Sequence, residues 1–123
     1  MKRGTFKKRY KPNKYKAIKT LFDGVVFDSK LEAGEYEDLK LLQAAGEISD
    51  LDIQHDLVLK VNDKQVCIYI ADFFYFDVKE KKWVVSDAKG ILTDVFKLKW
   101  KLAQALYPEY IYEIRKRGKI IRS

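Results

Sequence analysis

The sequence predicts an α+β fold in which one sheet is flanked by two helices. Three patterns indicate this class: an Asp-Gly pair between short apolar runs, three long apolar segments typical of strands, and two segments of helical periodicity around them. The expected order is hairpin, helix, three antiparallel strands, helix and strand. A chain of 123 residues is most economically one domain.

The hairpin and the first helix are recognised by the residues at their boundaries. Asp23-Gly24 supplies the positive φ angles of a tight turn. Ser29 is a good N-cap, Glu32 three residues later completes a capping box, and Gly46 ends the helix. On a helical wheel Glu32 lies at the edge of the buried face. Its carboxylate is therefore either a capping group or a group directed toward the sheet.

The three central strands are expected at residues 51–61, 66–78 and 83–89, joined as an antiparallel meander. Residues two apart share a face of a strand. One face of the middle strand should then carry Val66, Ile68, Ile70, Asp72, Phe74 and Phe76. One face of the third strand should carry Trp83, Val85, Asp87 and Lys89. The middle strand is apolar on both faces, so helices should cover both sides of the sheet.

The second helix is expected to begin after Thr93 and to end before Pro108. Apolar residues at helical spacing mark its predicted core face: Val95, Leu98, Leu102 and Leu106. Lys97, Lys101 and Gln104 make the other side polar, and the lysines are either a solvated face or contacts for a phosphate backbone. Residues 110–114 read as a last strand.

Charge is divided unevenly along the chain. Residues 1–19 contain nine Lys or Arg and no acid, residues 115–123 contain five more and no acid, and the whole chain has a formal net charge of +7. Residues 20–114 contain the remaining eleven basic residues and all eighteen acidic ones, so this part of the chain is net acidic. We expect one folded domain at 20–114, a flexible basic arm at 1–19 and a basic tail at 115–123. Soluble ends without a partner are the alternative.

The basic segment 1–19 also contains the aromatic residues Phe6, Tyr10 and Tyr15, which can stack on bases as in proteins that bind nucleic acid. The candidate DNA-binding residues are Lys7, Lys8, Arg9, Lys14, Lys16, Lys97, Lys101, Arg115, Lys116 and Arg117. No apolar run is long enough for a membrane span, and no hydrophobic stretch follows the N-terminal charges as in a signal peptide. The expected location is the cytoplasm.

Two carboxylates and a lysine are the strongest candidate site. Asp72 is set into an apolar strand, where an ionised carboxylate needs a cation or hydrogen-bond donors. Asp87-Ala88-Lys89 ends the next strand. If the two strands pair, these groups converge at one end of the sheet and form a site for a hard divalent cation and a phosphate. An Asp72 to Lys89 ion pair in a structural sheet is the alternative. One histidine, His55, and one cysteine do not make a usual zinc site.

These residues resemble the PD-(D/E)XK nuclease core, which has the same order of helix, three-stranded meander, helix and strand. The segments FDSKLEAGEYEDLKLL, YIADFFYF and VVSDAKG are similar to the phage endonuclease I type of Holliday-junction resolvase. They also resemble a wider set of phage nucleases and transposon end-cleaving subunits. Ala71 stands where many members have proline, and Asp87 where many have glutamate. The resemblance spans residues 20–114.

The resemblance implies a role for each matched position. Asp72, Asp87 and the backbone carbonyl of Ala88 would bind Mg²⁺, for which Mn²⁺ would substitute. Glu32 would complete a second metal position or hold a water. Lys89 would orient the attacking water and stabilise charge on the phosphate. Gln54 is a possible accessory residue, or an ordinary strand amide.

The sequence therefore predicts a restriction-endonuclease-like fold and a Mg²⁺-dependent DNA endonuclease, acting as a homodimer on branched DNA such as Holliday junctions of a phage. Two rival functions remain open. One is a catalytically inactive module that only binds nucleic acid, and the other is a transposon-type subunit that cleaves only with a partner protein.

Overall fold

Secondary structure follows the predicted order. The structure, a computed structural model, describes residues 20–116 and 119–123. The elements are β1 (Thr20–Phe22), β2 (Val25–Phe27), α1 (Lys30–Ala44), β3 (Ile48–Val61), β4 (Lys64–Asp77), β5 (Lys82–Ala88), α2 (Asp94–Leu106), β6 (Ile111–Lys116) and β7 (Lys119–Arg122). The α+β class is confirmed, and so are the N-terminal hairpin, the two helices and the antiparallel meander.

The main sheet is mixed and has the order β3-β4-β5-β6-β7. Strands β3, β4 and β5 pair antiparallel. After α2 the chain returns as β6, which pairs with β5 in parallel. Since parallel strands end at the same edge of a sheet, the last residues of β5 and β6 lie side by side. This edge is where Asp87-Ala88-Lys89 ends β5.

Helix α1 begins where the capping pattern predicts. The Ser29 hydroxyl accepts a hydrogen bond from the Glu32 N–H at 3.1 Å, and Gly46 follows the helix with a φ of +80°. The buried side of α1 packs with Phe73 and Tyr75 of β4 and Val84 of β5. Glu32 and Glu35 lie on that side. The helix therefore holds two carboxylates against the sheet.

Helix α2 covers the opposite face of the sheet with only half of the predicted core face, since Leu102 and Leu106 are partly buried against the core and the other two residues are not. Its buried residues are Phe96, Trp100 and Ala103, which pack with Tyr69, Val85 and others. Val95 is 65% exposed and Leu98 is 70% exposed, so the prediction that they form the core face is wrong. The helix carries apolar residues on two sides, and bulky aromatics fill the space over the sheet better than the leucines do. No helix in the described residues is long and apolar enough to cross a membrane.

At one position along β3 and β4, the odd-numbered side chains of both strands change from the face of the sheet under α1 to the face under α2. We call this position the face exchange. Under α1 the two strands contribute Leu51, Ile53, Phe73 and Tyr75, whereas under α2 they contribute Leu57, Leu59, Tyr69 and Ala71. All eight residues have odd numbers, so regular strands would keep each strand's set on one face. The change falls where Gln54 lies opposite Asp72, between the pairs Ile53 with Phe73 and His55 with Ala71. Gln54 has a φ of +55°, in the left-handed region, which interrupts the regular pleat.

This exchange overturns the expected face of the middle strand. Val66 is 57% exposed and Ile68 is 37% exposed, whereas Phe74 is buried under α2. The predicted set from Val66 to Phe76 therefore does not share one face. Regular alternation holds on each side of Asp72 and fails across it.

The C-terminal segment is not a separate tail. Strand β6 extends to Lys116 and β7 pairs with it antiparallel, with Ile114 opposite Ile121. The boundary predicted after residue 114 is therefore wrong, because the sheet continues past it. The Arg122 guanidinium fixes this edge strand through Glu113 at 3.0 Å and Asp77 at 3.1 Å.

Candidate active site

The four residues of the candidate site come from three elements. Glu32 lies in the first turn of α1, Asp72 at the face exchange of β4, Asp87 near the end of β5, and Lys89 directly after that strand. An Asp72 carboxylate oxygen accepts a hydrogen bond from the Ala88 N–H at 3.0 Å. Lys89 Nζ lies 3.5 Å from Asp87 Oδ1. The contacts bring Asp72, Asp87 and Lys89 to one end of the sheet.

Asp87 is the most unusual of these groups. It is 1% exposed, and neither of its carboxylate oxygens has a hydrogen-bond partner within the described part of the chain. Burial raises the pKa of Asp87 to about 7, and the nearby Lys89 ammonium offsets only part of that rise. A buried carboxylate normally has donors that replace its lost water. Among the described residues, the charge of Asp87 is therefore compensated mainly by the ion pair of its Oδ1 with Lys89 at 3.5 Å.

Glu32 is electrostatically part of the same group. It is 7% exposed, and its pKa is raised well above its usual value, first by burial and then by the negative charges of Asp72, Asp28 and Asp87. Like charges raise a carboxyl pKa in this way only over short distances. A cation placed among these acids would stabilise all of their ionised forms.

Gln54 links Glu32 to the face exchange. Its side-chain amide donates to Glu32 Oε2 at 3.3 Å, from a position opposite Asp72 on the neighbouring strand. The residue with left-handed backbone, Gln54, is thus the β3 residue opposite Asp72, which belongs to the candidate site. A glutamine in a strand rarely adopts such a conformation, and residues held in it cluster at functional sites.

Lys89 supplies the positive charge of the site. Its Nζ lies 4.8 Å from the centre of the Phe96 ring of α2, and its side chain is 30% exposed. Burial alone would lower the pKa of Lys89, but the charges of Asp87, Asp72 and Glu32 outweigh burial and raise it. The amine is therefore a protonated cation with partial access to solvent.

The donor set suits a hard cation such as Mg²⁺, which binds oxygen ligands. Among the described residues, no three His, Cys, Asp or Glu side chains already lie close enough together to form a metal-binding group. The two unsatisfied oxygens of Asp87 are the observation that fits a cation. Asp72, Glu32 and the carbonyl of Ala88 are the neighbouring oxygen donors in the predicted ligand set.

Comparison with known proteins places the chain in one family. A family described as a protein of unknown function (DUF1064) matches residues 12–121. The chain belongs to this family. No curated protein and no solved structure matches it.

The predicted DNA-binding residues of this DUF1064 protein are distributed unevenly. Lys97 and Lys101 are exposed on α2, and Lys116 is half-buried at the end of β6. The rest, apart from Arg115, lie outside the described residues: Lys7, Lys8, Arg9, Lys14, Lys16 and Arg117. The arm predicted at 1–19 lies there too.

Arg115 does not lie in an exposed tail, as the charge pattern predicted. It is 4% exposed and forms ion pairs with Glu35 at 2.6 Å and Glu113 at 2.9 Å. A phosphate would have to break these buried pairs to reach it. The run of basic residues predicted a tail. The available signal against a tail was the spacing of Ile111, Glu113 and Arg115, which are two residues apart and therefore share one face of a strand.

Two contributors to the site of the DUF1064 protein were not predicted. Asp28 acts on Glu32 through its charge, and Phe96 lies beneath the Lys89 amine. Asp28 directly precedes the N-cap Ser29, and residues so close to a helix start lie near its first turn. That spacing was the available signal for Asp28. Phe96 could not be found in this way, because its contact depends on how α2 docks.

Proposed function

We propose that this protein is a Mg²⁺-dependent DNA endonuclease with a restriction-endonuclease-like core of the PD-(D/E)XK type, acting on branched DNA. The observation that carries the proposal is Asp87, a buried carboxylate whose oxygens have no hydrogen-bond partner among residues 20–116 and 119–123 and which lies 3.5 Å from the Lys89 ammonium. Strongly perturbed carboxyl groups with a specific charged partner are typical of functional sites. The matched sequence motif and the order of elements support the same reading.

In this proposal Asp72, Asp87 and the Ala88 carbonyl hold the cation, and Glu32 contributes to a second position or holds a water. When bound, Mg²⁺ supplies Lewis acidity that activates water and neutralises charge on a phosphodiester during hydrolysis. Mn²⁺ would substitute, since it accepts the same oxygen ligands.

The chain's own residues have separate tasks. Lys89 keeps its proton because three carboxylates surround it, so it can donate hydrogen bonds to a phosphate oxygen and orient the attacking water. The Ala88 N–H holds the Asp72 carboxylate in place at 3.0 Å. The Gln54 amide holds Glu32 at 3.3 Å. Phosphodiester hydrolysis depends mainly on such positioning and charge stabilisation.

A polyanionic substrate agrees with the formal net charge of +7, since basic residues release counterions when they bind phosphates. The negative charges of the site would repel DNA without a cation. The basic residues outside it, including the exposed Lys97, would supply the attraction. Cutting of a symmetric junction needs two sites, which a homodimer would provide in the cytoplasm of a phage host.

The test is a cleavage panel of four-way junction, flap, single-stranded and duplex DNA, with Mg²⁺, Mn²⁺ or EDTA. We expect Asp87→Asn and Lys89→Ala to reduce cutting by on the order of 10²–10⁴ while binding in EDTA persists. The matched controls are Asp63→Asn and Lys64→Ala, both exposed residues at the β3 to β4 turn, which should leave cutting unchanged.

The other outcomes of the cleavage panel would favour one of the two rival functions. If all four DNA structures stay intact with either metal and no metal binds by calorimetry, salt-dependent DNA binding alone would make the protein an inactive binding module. Cutting that appears only with a co-purified partner would favour the transposon-type subunit.

A further inference from the structure

Helix α2 has a second apolar side that faces away from the sheet. Val95 and Leu98 are 65% and 70% exposed, and Ile91, just before the helix, is 54% exposed. We call these three residues the α2 stripe. At 100° per residue the stripe residues Val95 and Leu98 point to the side opposite Phe96 and Trp100. Exposed apolar side chains grouped on one surface are typical of a contact with a partner.

We propose that the α2 stripe is the contact between two copies of this chain, which pair through α2 in antiparallel orientation about a two-fold axis at Leu98. In such a contact the same patch faces itself on both subunits. Leu98 would meet Leu98 of the second copy, and Val95 and Ile91 would extend the apolar contact on each side.

Charge complementarity favours this occupant. Asp94 lies one turn before Leu98 and Lys101 lies one turn after it, both exposed and both on the same flank of the stripe by the helical spacing. Antiparallel pairing about Leu98 would bring Asp94 of one copy beside Lys101 of the other. The contact would thus contain this pair twice.

The other candidates for this surface fit less well. Residues 1–19 have nine basic residues and no acid, so they would meet Lys97 and Lys101 with like charge. Nucleic acid would approach the lysines but leave the apolar side chains uncovered. A second copy satisfies both the apolar and the charged parts of the surface.

The size of the stripe predicts a weak association. A stable interface buries roughly 800 Å² on each partner, which is more than one helix face of 13 residues provides. We therefore expect dimers that form with rising concentration rather than a permanent dimer. Because Phe96 of the same helix lies 4.8 Å from Lys89 Nζ, the pairing would also keep two copies of the candidate site in one particle.

The test is sedimentation equilibrium of the full chain over a concentration series, without DNA or metal. We expect the mass to rise from 14.5 kDa toward twice that value. Leu98→Asp should raise the dimer dissociation constant at least tenfold. The matched control is Leu41→Asp on α1, where the side chain is 65% exposed, and it should leave the dissociation constant unchanged.

A charge exchange tests the orientation. Asp94→Lys and Lys101→Asp should each weaken dimerisation severalfold, because each brings like charges together, and the double variant should restore it. Circular dichroism melting would show that all variants are folded. A monomeric wild type at every concentration, equal effects of the Leu98 and Leu41 variants, or a double variant weaker than both single ones would each overturn the proposal. None of these outcomes depends on nuclease activity, so the two proposals are tested separately.

Discussion

Two buried carboxylates at adjacent positions of neighbouring strands have opposite environments. In the parallel pairing of β5 with β6, Ser86 lies opposite Glu113 and Asp87 opposite Ile114. Glu113 is 0% exposed and accepts hydrogen bonds from Tyr75 at 2.5 Å and Ser86 at 2.9 Å, as well as from two guanidinium groups. Asp87 is 1% exposed and has no hydrogen bond among the described residues.

The pKa values follow this difference. Burial would raise the pKa of both groups, but the Tyr75 hydroxyl and the Arg115 charge outweigh burial and lower the pKa of Glu113. At Asp87 burial prevails and the pKa rises to about 7. The comparison separates a carboxylate whose charge is fully compensated by its neighbours from one whose charge is only partly compensated by Lys89.

The largest expected effect is on the Glu113 side. Glu113→Gln removes the negative charge that pairs with two guanidinium groups, and should lower the free energy of unfolding by about 3–5 kcal/mol at pH 7. Because the folded-state pKa of Glu113 is lowered, this stabilisation is present above its usual pKa and is lost on acidification. Chemical denaturation at pH 7 and at about pH 3 would measure it, because the loss occurs as the pH falls below the usual pKa and through the lowered folded-state pKa. An equal loss at both pH values would contradict the assigned role.

Replacing the Asp87 carboxylate by an amide should change the free energy of unfolding in the opposite direction. The raised pKa means that the folded state holds a proton that the unfolded state has lost, so stability falls as the pH rises from about 4 to about 7. Asp87→Asn removes the ionised form and should raise the free energy of unfolding at pH 8 by about 2 kcal/mol, allowing for a buried amide without partners. At pH 4 the folded wild type holds Asp87 protonated and only the cost of the amide remains, so Asp87→Asn should be the less stable of the two. Thermal melts in EDTA at the two pH values would check it.

Cation binding should sharpen the comparison further. A proton and a cation compete for Asp87, so the affinity for Mn²⁺ should fall about tenfold for each pH unit below the Asp87 pKa, which is about 1.4 kcal/mol per unit. Calorimetry in buffers of different ionisation enthalpy would detect proton release on binding. Asp87→Asn should reduce this release to the part that comes from Glu32, whose pKa is also raised, whereas the exposed Asp63→Asn should leave the release unchanged. A pH-independent affinity would rule out Asp87 as a ligand.

The smallest effect concerns the backbone at Gln54. Its φ of +55° suits glycine and strains a β-branched residue. Gln54→Val should therefore be less stable than Gln54→Gly by about 1 kcal/mol. Both variants remove the amide from Glu32, so both should lower Mn²⁺ affinity, while only the valine variant also lowers the melting temperature clearly. Equal melting temperatures would mean that the strand can remain regular at this position.

Local sequence determined the elements from β1 to β6 and most of their boundaries, but not the C-terminal strand β7. The Asp23-Gly24 turn and the Ser29 cap depend on interactions between residues close together in the sequence, so the sequence alone predicts them. The order of elements followed from apolar periodicity. Glu32 was found from the helix cap, Asp72 from its place inside an apolar strand, and Asp87 with Lys89 from the end of the next strand. The same sequence could not show how closely these groups approach each other.

Tertiary structure decided which side of each element is buried. The left-handed Gln54 and the opposite Asp72 exchange the faces of β3 and β4, which simple alternation does not foresee. Arg115 reads as part of a basic tail, yet Glu35 of α1 and Glu113 of β6 draw it into the interior. Helix α2 offers two apolar sides, and only its docking on the sheet selects Phe96 and Trp100. Each of these outcomes depends on contacts between residues far apart in the chain, whose energies no local pattern contains.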